Sequence, residues 1–158
     1  LDDPLFGTSL YPIKRTAKRK SISKGKFYFF DMGVVSALLR RRNLDLRTPE
    51  YGNAFEHFIF LEMLCYRDYF SKESVINFWQ DAQEGEVDFI VNEEIAIEVK
   101  ATKKIQDEDL KSLRKFILKG PVKRHLVVSQ DPNRKLVNGI ELIPYDQFLQ
   151  TLWAGEYF

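Results

Sequence analysis

Apolar and polar positions along the chain change period several times, and each change marks an element. Residues 27–30 are a short apolar run that reads as a strand, and Asp31 follows as the cap of a short helix carrying Val34, Val35, Leu38 and Leu39. Thr48-Pro49-Glu50 combines an N-cap, a proline at the first helical position and an acid in the first turn, opening a helix that runs to about Phe70. Its interior, from Ala54 to Tyr66, is apolar on most sides, as in a helix largely buried within a domain, and only Glu56, His57 and Glu62 interrupt it. Residues 75–80 read as a strand. Residues 107–119 form a helix with Leu110, Leu113, Phe116 and Ile117 inward, ending before Gly120-Pro121. Residues 124–129 are a valine-rich strand, and a helix between strands predicts a parallel crossover. Asp131-Pro132-Asn133 marks a turn, residues 140–143 a last strand, and Pro144 opens a terminal helix with Phe148, Leu149 and Leu152 inward.

The most informative pattern lies between these, at residues 86–91 and 95–100, where β-branched and aromatic residues alternate with polar ones. Asn92-Glu93-Glu94 forms a three-residue turn in which asparagine tolerates left-handed angles. That loop pairs Val91 with Ile95, Phe89 with Ile97 and Val87 with Val99 on one face. The other face receives Ile90 with Ala96, Asp88 with Glu98, and Glu86 with Lys100. A slip of one residue would expose half the apolar side chains, so the hydrophobic pattern selects the register that juxtaposes the acids.

Directly opposed residues hold their Cβ atoms roughly 4.5–5.5 Å apart, so Asp88 and Glu98 could share one ion and would repel without it. Lys100, two residues beyond Glu98, points to the same face. A solvated hairpin face bearing Glu, Asp and Lys is also commonplace. Because Ile90 and Ala96 share the acidic face, another element is expected to cover it, and the helix from Thr48 is the candidate. Glu56 within that helix is costly in apolar surroundings unless paired or bound to metal; a helix-surface acid is the alternative, and Glu62, further along, need not share its face.

An acid in a helix, then Asp, a gap, and Glu-x-Lys on the next strand resembles the PD-(D/E)xK phosphodiesterase superfamily, the restriction-endonuclease-like fold. More narrowly, Lys26-Phe27-Tyr28-Phe29-Phe30-Asp31-Met32-Gly33-Val34, Gly52-Asn53-Ala54-Phe55-Glu56, Phe78-Trp79, Glu86-Val87-Asp88-Phe89 and Ile97-Glu98-Val99-Lys100-Ala101 together resemble the uncharacterised carboxy-terminal domain that follows an AAA-type ATPase module in many bacterial and archaeal proteins. The resemblance spans roughly residues 10 to 150. It implies an α/β fold with a restriction-endonuclease-like mixed sheet flanked by helices. It also implies Asp88, Glu98 and the Val99 backbone carbonyl as ligands of Mg2+ or Mn2+, Glu56 completing the site through a water or a second metal, and Lys100 positioning or deprotonating the attacking water. Glu56, Asp88, Glu98 and Lys100 would then be catalytic. Glu62 and Glu86 add acidity that the superfamily pattern does not assign.

The chemistry is coherent on its own terms. Phosphodiester hydrolysis needs an in-line hydroxide, a counter-charge for the non-bridging oxygens and help for the departing alkoxide. Magnesium prefers oxygen ligands and keeps several waters, so two or three carboxylates suffice and no histidine is required. His57, His125 and Cys65 are too few and too scattered for a zinc cluster. Both histidines read as structural, and Cys65 as a small core residue.

Composition sets outer limits. At 158 residues, 44% hydrophobic and 14% aromatic, the chain can bury one core. Residues 1–26 are expected to be a basic lead-in or linker from an N-terminal ATPase module, and 27–158 a single nuclease-like domain. The first residue, Leu1, is not methionine, in keeping with a fragment. Formal net charge is only +1, so local clustering of cations matters more than overall charge for binding a polyanion. Lys14, Arg15, Lys18, Arg19 and Lys20 lead a run free of acids, which could attract a phosphate backbone or could be a solvated lead-in. Lys103 and Lys104 flank the proposed site, with Lys111, Arg114 and Lys115 on the outer side of the following helix. Arg40-Arg41-Arg42 suits the carboxyl end of the short helix. Trp79 and Trp153 are expected to pack in the core. A single cysteine suits a reducing cytoplasm, and no stretch is long and apolar enough to span a bilayer. The leading expectation is therefore a cytoplasmic, magnesium-dependent nuclease acting on nucleic acid, DNA in the first instance. A noncatalytic nucleic-acid or protein-docking module is the alternative, and a structural dimerisation domain the third reading.

Overall fold

The computed structural model describes residues 6–13, 24–41, 45, 46, 48–118 and 122–158. Strand β1 (Gly7–Leu10) pairs antiparallel with β2 (Lys26–Phe29) in a small two-stranded sheet, and helix α1 (Met32–Leu38) follows, its cap Asp31 accepting from the Val34 N–H at 2.9 Å. Helix α2 (Pro49–Tyr69) starts at the predicted cap, Thr48, with Pro49 in the first turn. Strands β3 (Ile76–Asp81), β4 (Gly85–Val91) and β5 (Ile95–Lys100) form an antiparallel meander. A 3-10 turn over Asp107–Leu110 leads into α3 (Lys111–Ile117), and β6 (Arg124–Ser129) returns parallel to β5. Strands β7 (Lys135–Val137) and β8 (Ile140–Pro144) and helix α4 (Tyr145–Trp153) complete the chain. The main sheet has six strands in the order β3-β4-β5-β6-β8-β7, mixed in direction and flanked by helices.

Two cores lie on the two faces of that sheet. Phe55, Ile59, Phe60 and Met63 of α2 and Phe148 and Leu152 of α4 pack against Phe89, Val91, Ile97, Val99, Leu126 and Val128. Leu110, Leu113 and Phe116 pack against Ile90, Ala96 and Val127 on the opposite face. The element that covers Ile90 and Ala96 is thus α3, not α2 as the residue pattern suggested. The long helix is drawn instead to the face bearing Phe89, where Phe60 stacks on the Phe89 ring at 5.5 Å between centroids. Burying large aromatic area there outweighs any contact a mixed face could offer.

Two expectations of core placement need correction. Cys65 is exposed, because it sits on the outer side of α2 between buried Leu64 and Tyr66. Trp79 is buried with Phe116, but Trp153 is partly exposed, its indole N–H donating to Glu62 at 2.9 Å and its ring meeting Tyr66, Tyr69 and Phe70. Strand β1 lies inside the stretch read as a lead-in. Its sequence, Gly-Thr-Ser-Leu, has too little apolar periodicity to announce a strand, and its order comes from pairing with β2 and from the Pro12–Phe78 bridge to β3.

Gly85 begins β4 at φ +110°, and a Cβ there would lie 2.5 Å from the Ser112 hydroxyl oxygen on α3. Both the backbone angle and the close approach require glycine. Gly85→Ala should lower stability by about 1–3 kcal/mol in urea denaturation, and adding Ser112→Gly should recover only the steric part.

Candidate active site

The site is built around a bulge. On β3, Asn77 faces Ile90 and Trp79 faces Val87, so Phe78 alone spans the interval occupied by Asp88 and Phe89 on β4. An extra residue of this kind reverses the in-out phase of a strand. Val87 and Ile90 accordingly pack together on the α3 side while Phe89 packs under α2. The β4–β5 ladder follows the predicted register from Val91–Ile95 through Ile90–Ala96 to Phe89–Ile97 and ends there. The expected pairs Val87–Val99, Asp88–Glu98 and Glu86–Lys100 are not in it. Instead the Asp88 side chain reaches across, its Oδ2 accepting the Val99 N–H at 2.8 Å.

The bulge delivers Asp88 to α2 and β2. Lys26 of β2 has its ammonium 3.2 Å from Glu56 Oε1 and 4.0 Å from Asp88 Oδ1, and it is also ion-paired to Glu86. Tyr28, two residues along on the same face, donates its hydroxyl proton to Glu56 Oε1 at 2.5 Å. Glu98 on β5 is ion-paired through Oε1 to Lys100 at 2.7 Å, while its buried Oε2 has no hydrogen-bond partner. Glu56, Asp88, Glu98 and Lys100 are thereby gathered in one locality, with Glu86 added. Glu62 is elsewhere, bonded to Trp153. Val99 contributes its N–H to Asp88 and its side chain to the α2 core.

Asp88 is 8% exposed and Glu98 3% exposed. Burial pushes the Asp88 carboxyl well above the usual carboxylate range, and the charges of Glu98 and Glu56 push it further, against the Val99 N–H and Lys26. Burial also raises Glu98, with Lys100 holding it back and Glu56 and Glu86 adding to the rise. The Lys26 and Lys100 ammoniums are both raised, since burial is outweighed for Lys26 by Glu56, Glu86 and Asp88 and for Lys100 by Glu98 and Asp88. Burial and the neighbouring Glu56 push the Tyr28 phenol upward too, so it remains a proton donor.

Oxygen donors, buried charge and an unpartnered carboxylate oxygen fit a hard divalent cation in chemical type. Among the described residues, however, no three His, Cys, Asp or Glu side chains already converge as a metal cluster. Ion pairs hold Glu56, Glu86 and Asp88 on Lys26 and Glu98 on Lys100.

Sequence reasoning missed two members of the site. Lys26 closes the stretch expected to be a basic lead-in and Tyr28 lies within a short strand, so neither carries a motif of its own. Their two-residue spacing on a short strand was the available signal. His57 is structural as expected, buried with its Nε2 2.6 Å from the Phe29 carbonyl oxygen. Lys103 and Lys104 are exposed in the turn after β5, whereas Lys14, Arg15, Lys18, Arg19 and Lys20 lie outside the described residues. A shallow cleft of about 230 Å³ adjoins the acids, lined by Lys26, Phe27, Tyr28, Asn53, Glu56 and His57. Another, of about 360 Å³, lies at β7 and β8 beside Arg134 and Lys135, and these cations are engaged by Glu141 and Asp131.

With this geometry established, comparison with known proteins is informative in one respect. Residues 51–148 match the family described as Domain of unknown function (DUF4143). The chain belongs to this family. No curated protein and no solved structure matches it. The DUF4143 match begins one turn before Glu56 and includes Asp88, Glu98 and Lys100, but not Lys26 or Tyr28. No helix among the described residues is long and apolar enough to cross a membrane.

Raised carboxyl values have a defined thermodynamic sign. The fold binds these protons more tightly than the unfolded chain does, so stability falls as pH rises from the ordinary carboxylate range toward the raised values. Asp88→Asn keeps an acceptor for the Val99 N–H and removes the charge. In chelator-treated protein it should be more stable than the parent at pH 7–8, with the advantage vanishing below about pH 4, where ordinary carboxylates are protonated as well. Denaturant titrations at stepped pH check this, and an advantage independent of pH would refute the charge argument.

Proposed function

We propose that this domain is a metal-dependent phosphodiesterase acting on nucleic acid, a nuclease that works as the carboxy-terminal part of an AAA-type ATPase. The observation that carries the reading is the pair of buried carboxyls, Asp88 and Glu98, one of them with an unpartnered oxygen, beside the Lys100 ammonium. Burying two acids so close that burial and charge both oppose their ionisation is costly, and a catalytic cation is an economical reason to keep them.

Asp88, Glu98 and the Val99 carbonyl would hold Mg2+ or Mn2+. When bound, such an ion supplies Lewis-acid stabilisation of the phosphoryl oxygens and lowers the pKa of a water ligand. The remaining work belongs to the chain itself. The Val99 N–H fixes one Asp88 oxygen and so sets the direction of the other. Lys100, held on Glu98, presents positive charge where the phosphate gains negative charge. Tyr28 and Lys26 fix the Glu56 carboxylate in place at the edge of the site. Lys103 and Lys104 project just beyond Lys100 in sequence and suit contacts to the flanking phosphates.

The ion pairs that close the acids around two ammoniums favour the second reading, a docking module without catalysis. Cleavage assays separate the two. The unaltered protein should cleave DNA or RNA with magnesium, and Asp88→Asn or Lys100→Ala should reduce the rate about 10²-fold or more while circular dichroism stays unchanged. Absence of cleavage on both polymers, together with no magnesium-dependent change in melting temperature, would overturn the catalytic reading and favour the docking one.

Binding can be tested apart from chemistry. Substituting Lys103 and Lys104 by alanine should weaken DNA binding for all sequences alike and reduce the slope of log Kd against log salt by about 1 per lysine. An unchanged slope in fluorescence-anisotropy titrations would remove these two residues from the interface.

A further inference from the structure

Beyond holding Glu56 in place, Lys26 has no assigned part in the hydrolytic step proposed above, yet its ammonium stands among three carboxylates. It lies 3.2 Å from Glu56 Oε1 and 4.0 Å from Asp88 Oδ1 and is paired with Glu86. Three carboxylates from two separate elements, α2 and β4, surround a single cation contributed by a third, β2. The strand that carries it is firmly placed, because Tyr28 is buried against Phe60 and donates to the same Glu56 oxygen. The ammonium also lies over the Phe78 ring at 5.3 Å. On the other side of the site the arrangement differs. Lys100 takes only one Glu98 oxygen, and the second, in a side chain almost fully buried, has no partner.

Charge counting gives these two halves different capacities. With a divalent cation bound and the acids deprotonated to receive it, Glu56, Glu86, Asp88 and Glu98 face two ammoniums, leaving two negative charges for that cation to offset. A second such cation would reverse the sign of the site and would have to displace Lys26 from its three partners. We propose that Lys26 is a resident counter-cation that takes the place of a second metal ion, so that the site holds a single divalent cation on its Asp88–Glu98 side. This rests on the metal-dependent reading of the site. It assigns Glu56 and Glu86 to holding Lys26 rather than to holding metal. It also assigns β2 a specific duty, that of setting the metal stoichiometry.

The test is a count of Mn2+ bound per chain, by isothermal titration calorimetry and by the electron paramagnetic resonance signal of free Mn2+. The unaltered protein should bind one ion, Lys26→Arg one, and Lys26→Met two. Two ions on the unaltered protein would overturn the inference, as would one ion on a folded Lys26→Met protein, although the metal-dependent reading would survive both results. No ion on the unaltered protein would defeat the metal-dependent reading itself and the inference with it. Should Lys26→Met fail to fold, Glu56→Gln in the otherwise unaltered chain decides. With Glu56 engaged by Lys26 and Tyr28, the affinity for the single ion should change by less than about tenfold, that is ~1.4 kcal/mol. A larger loss would show Glu56 to be a ligand and overturn the proposal.

Discussion

Keeping the Asp88 carboxyl out of water is the constraint on which the rest of this structure turns. A buried carboxylate is tolerated only with hydrogen bonds and opposite charge close by. Each requirement is met by a different part of the chain: the Val99 N–H comes from the neighbouring strand, and the Lys26 ammonium from a strand more than fifty residues upstream in sequence. The small sheet formed by β1 and β2 therefore serves an electrostatic purpose as well as a packing one. Its ion pairs are partly shielded from solvent, where their mutual attraction is screened less than at an open surface.

The two faces of the main sheet divide the labour. Helix α2 covers the aromatic face and brings Glu56 to the end of the sheet. Its first turn is tied there by Tyr51, whose hydroxyl oxygen accepts from the Gln130 side chain at 2.6 Å just beyond β6. Helix α3 covers the other face, and Asp109 of the turn before it contributes to the charge around Lys100. Strand β5 is the shared member, antiparallel to β4 and parallel to β6, where Glu98 lies opposite Val127.

Much of the architecture was legible in the residues, for local reasons. Asp31 and Thr48 are caps whose side chains bond within their own helices, and Arg124–Ser129 is a strand announced by its Leu-Val-Val centre and the turn residues after it. The turn at Asn92 and Glu93, both with positive φ, set the hairpin register for its first three pairs. Beyond Phe89 that logic failed. A bulge is decided by what the partner strand presents, here Phe78, and nothing in an alternating pattern reveals a phase reversal. The acids expected to share a face lie near one another, but in place of a flat, directly opposed pair there is a twisted arrangement in which Asp88 leans toward α2. Lys26 was hidden for a related reason. Among so many nearby lysines and arginines, only its place on a folded strand distinguishes it.

That distant origin of Lys26 bears on where this unit should be considered to begin. The segment recognisable by family likeness, residues 51–148, omits β1, β2 and the closing residues Leu152 and Tyr157 of the aromatic core. A fragment trimmed to those limits would retain Glu56, Glu86, Asp88 and Glu98 while discarding one of the two ammoniums that neutralise them. Homology and electrostatics thus draw different borders, and only the wider one keeps both ammoniums beside the acids.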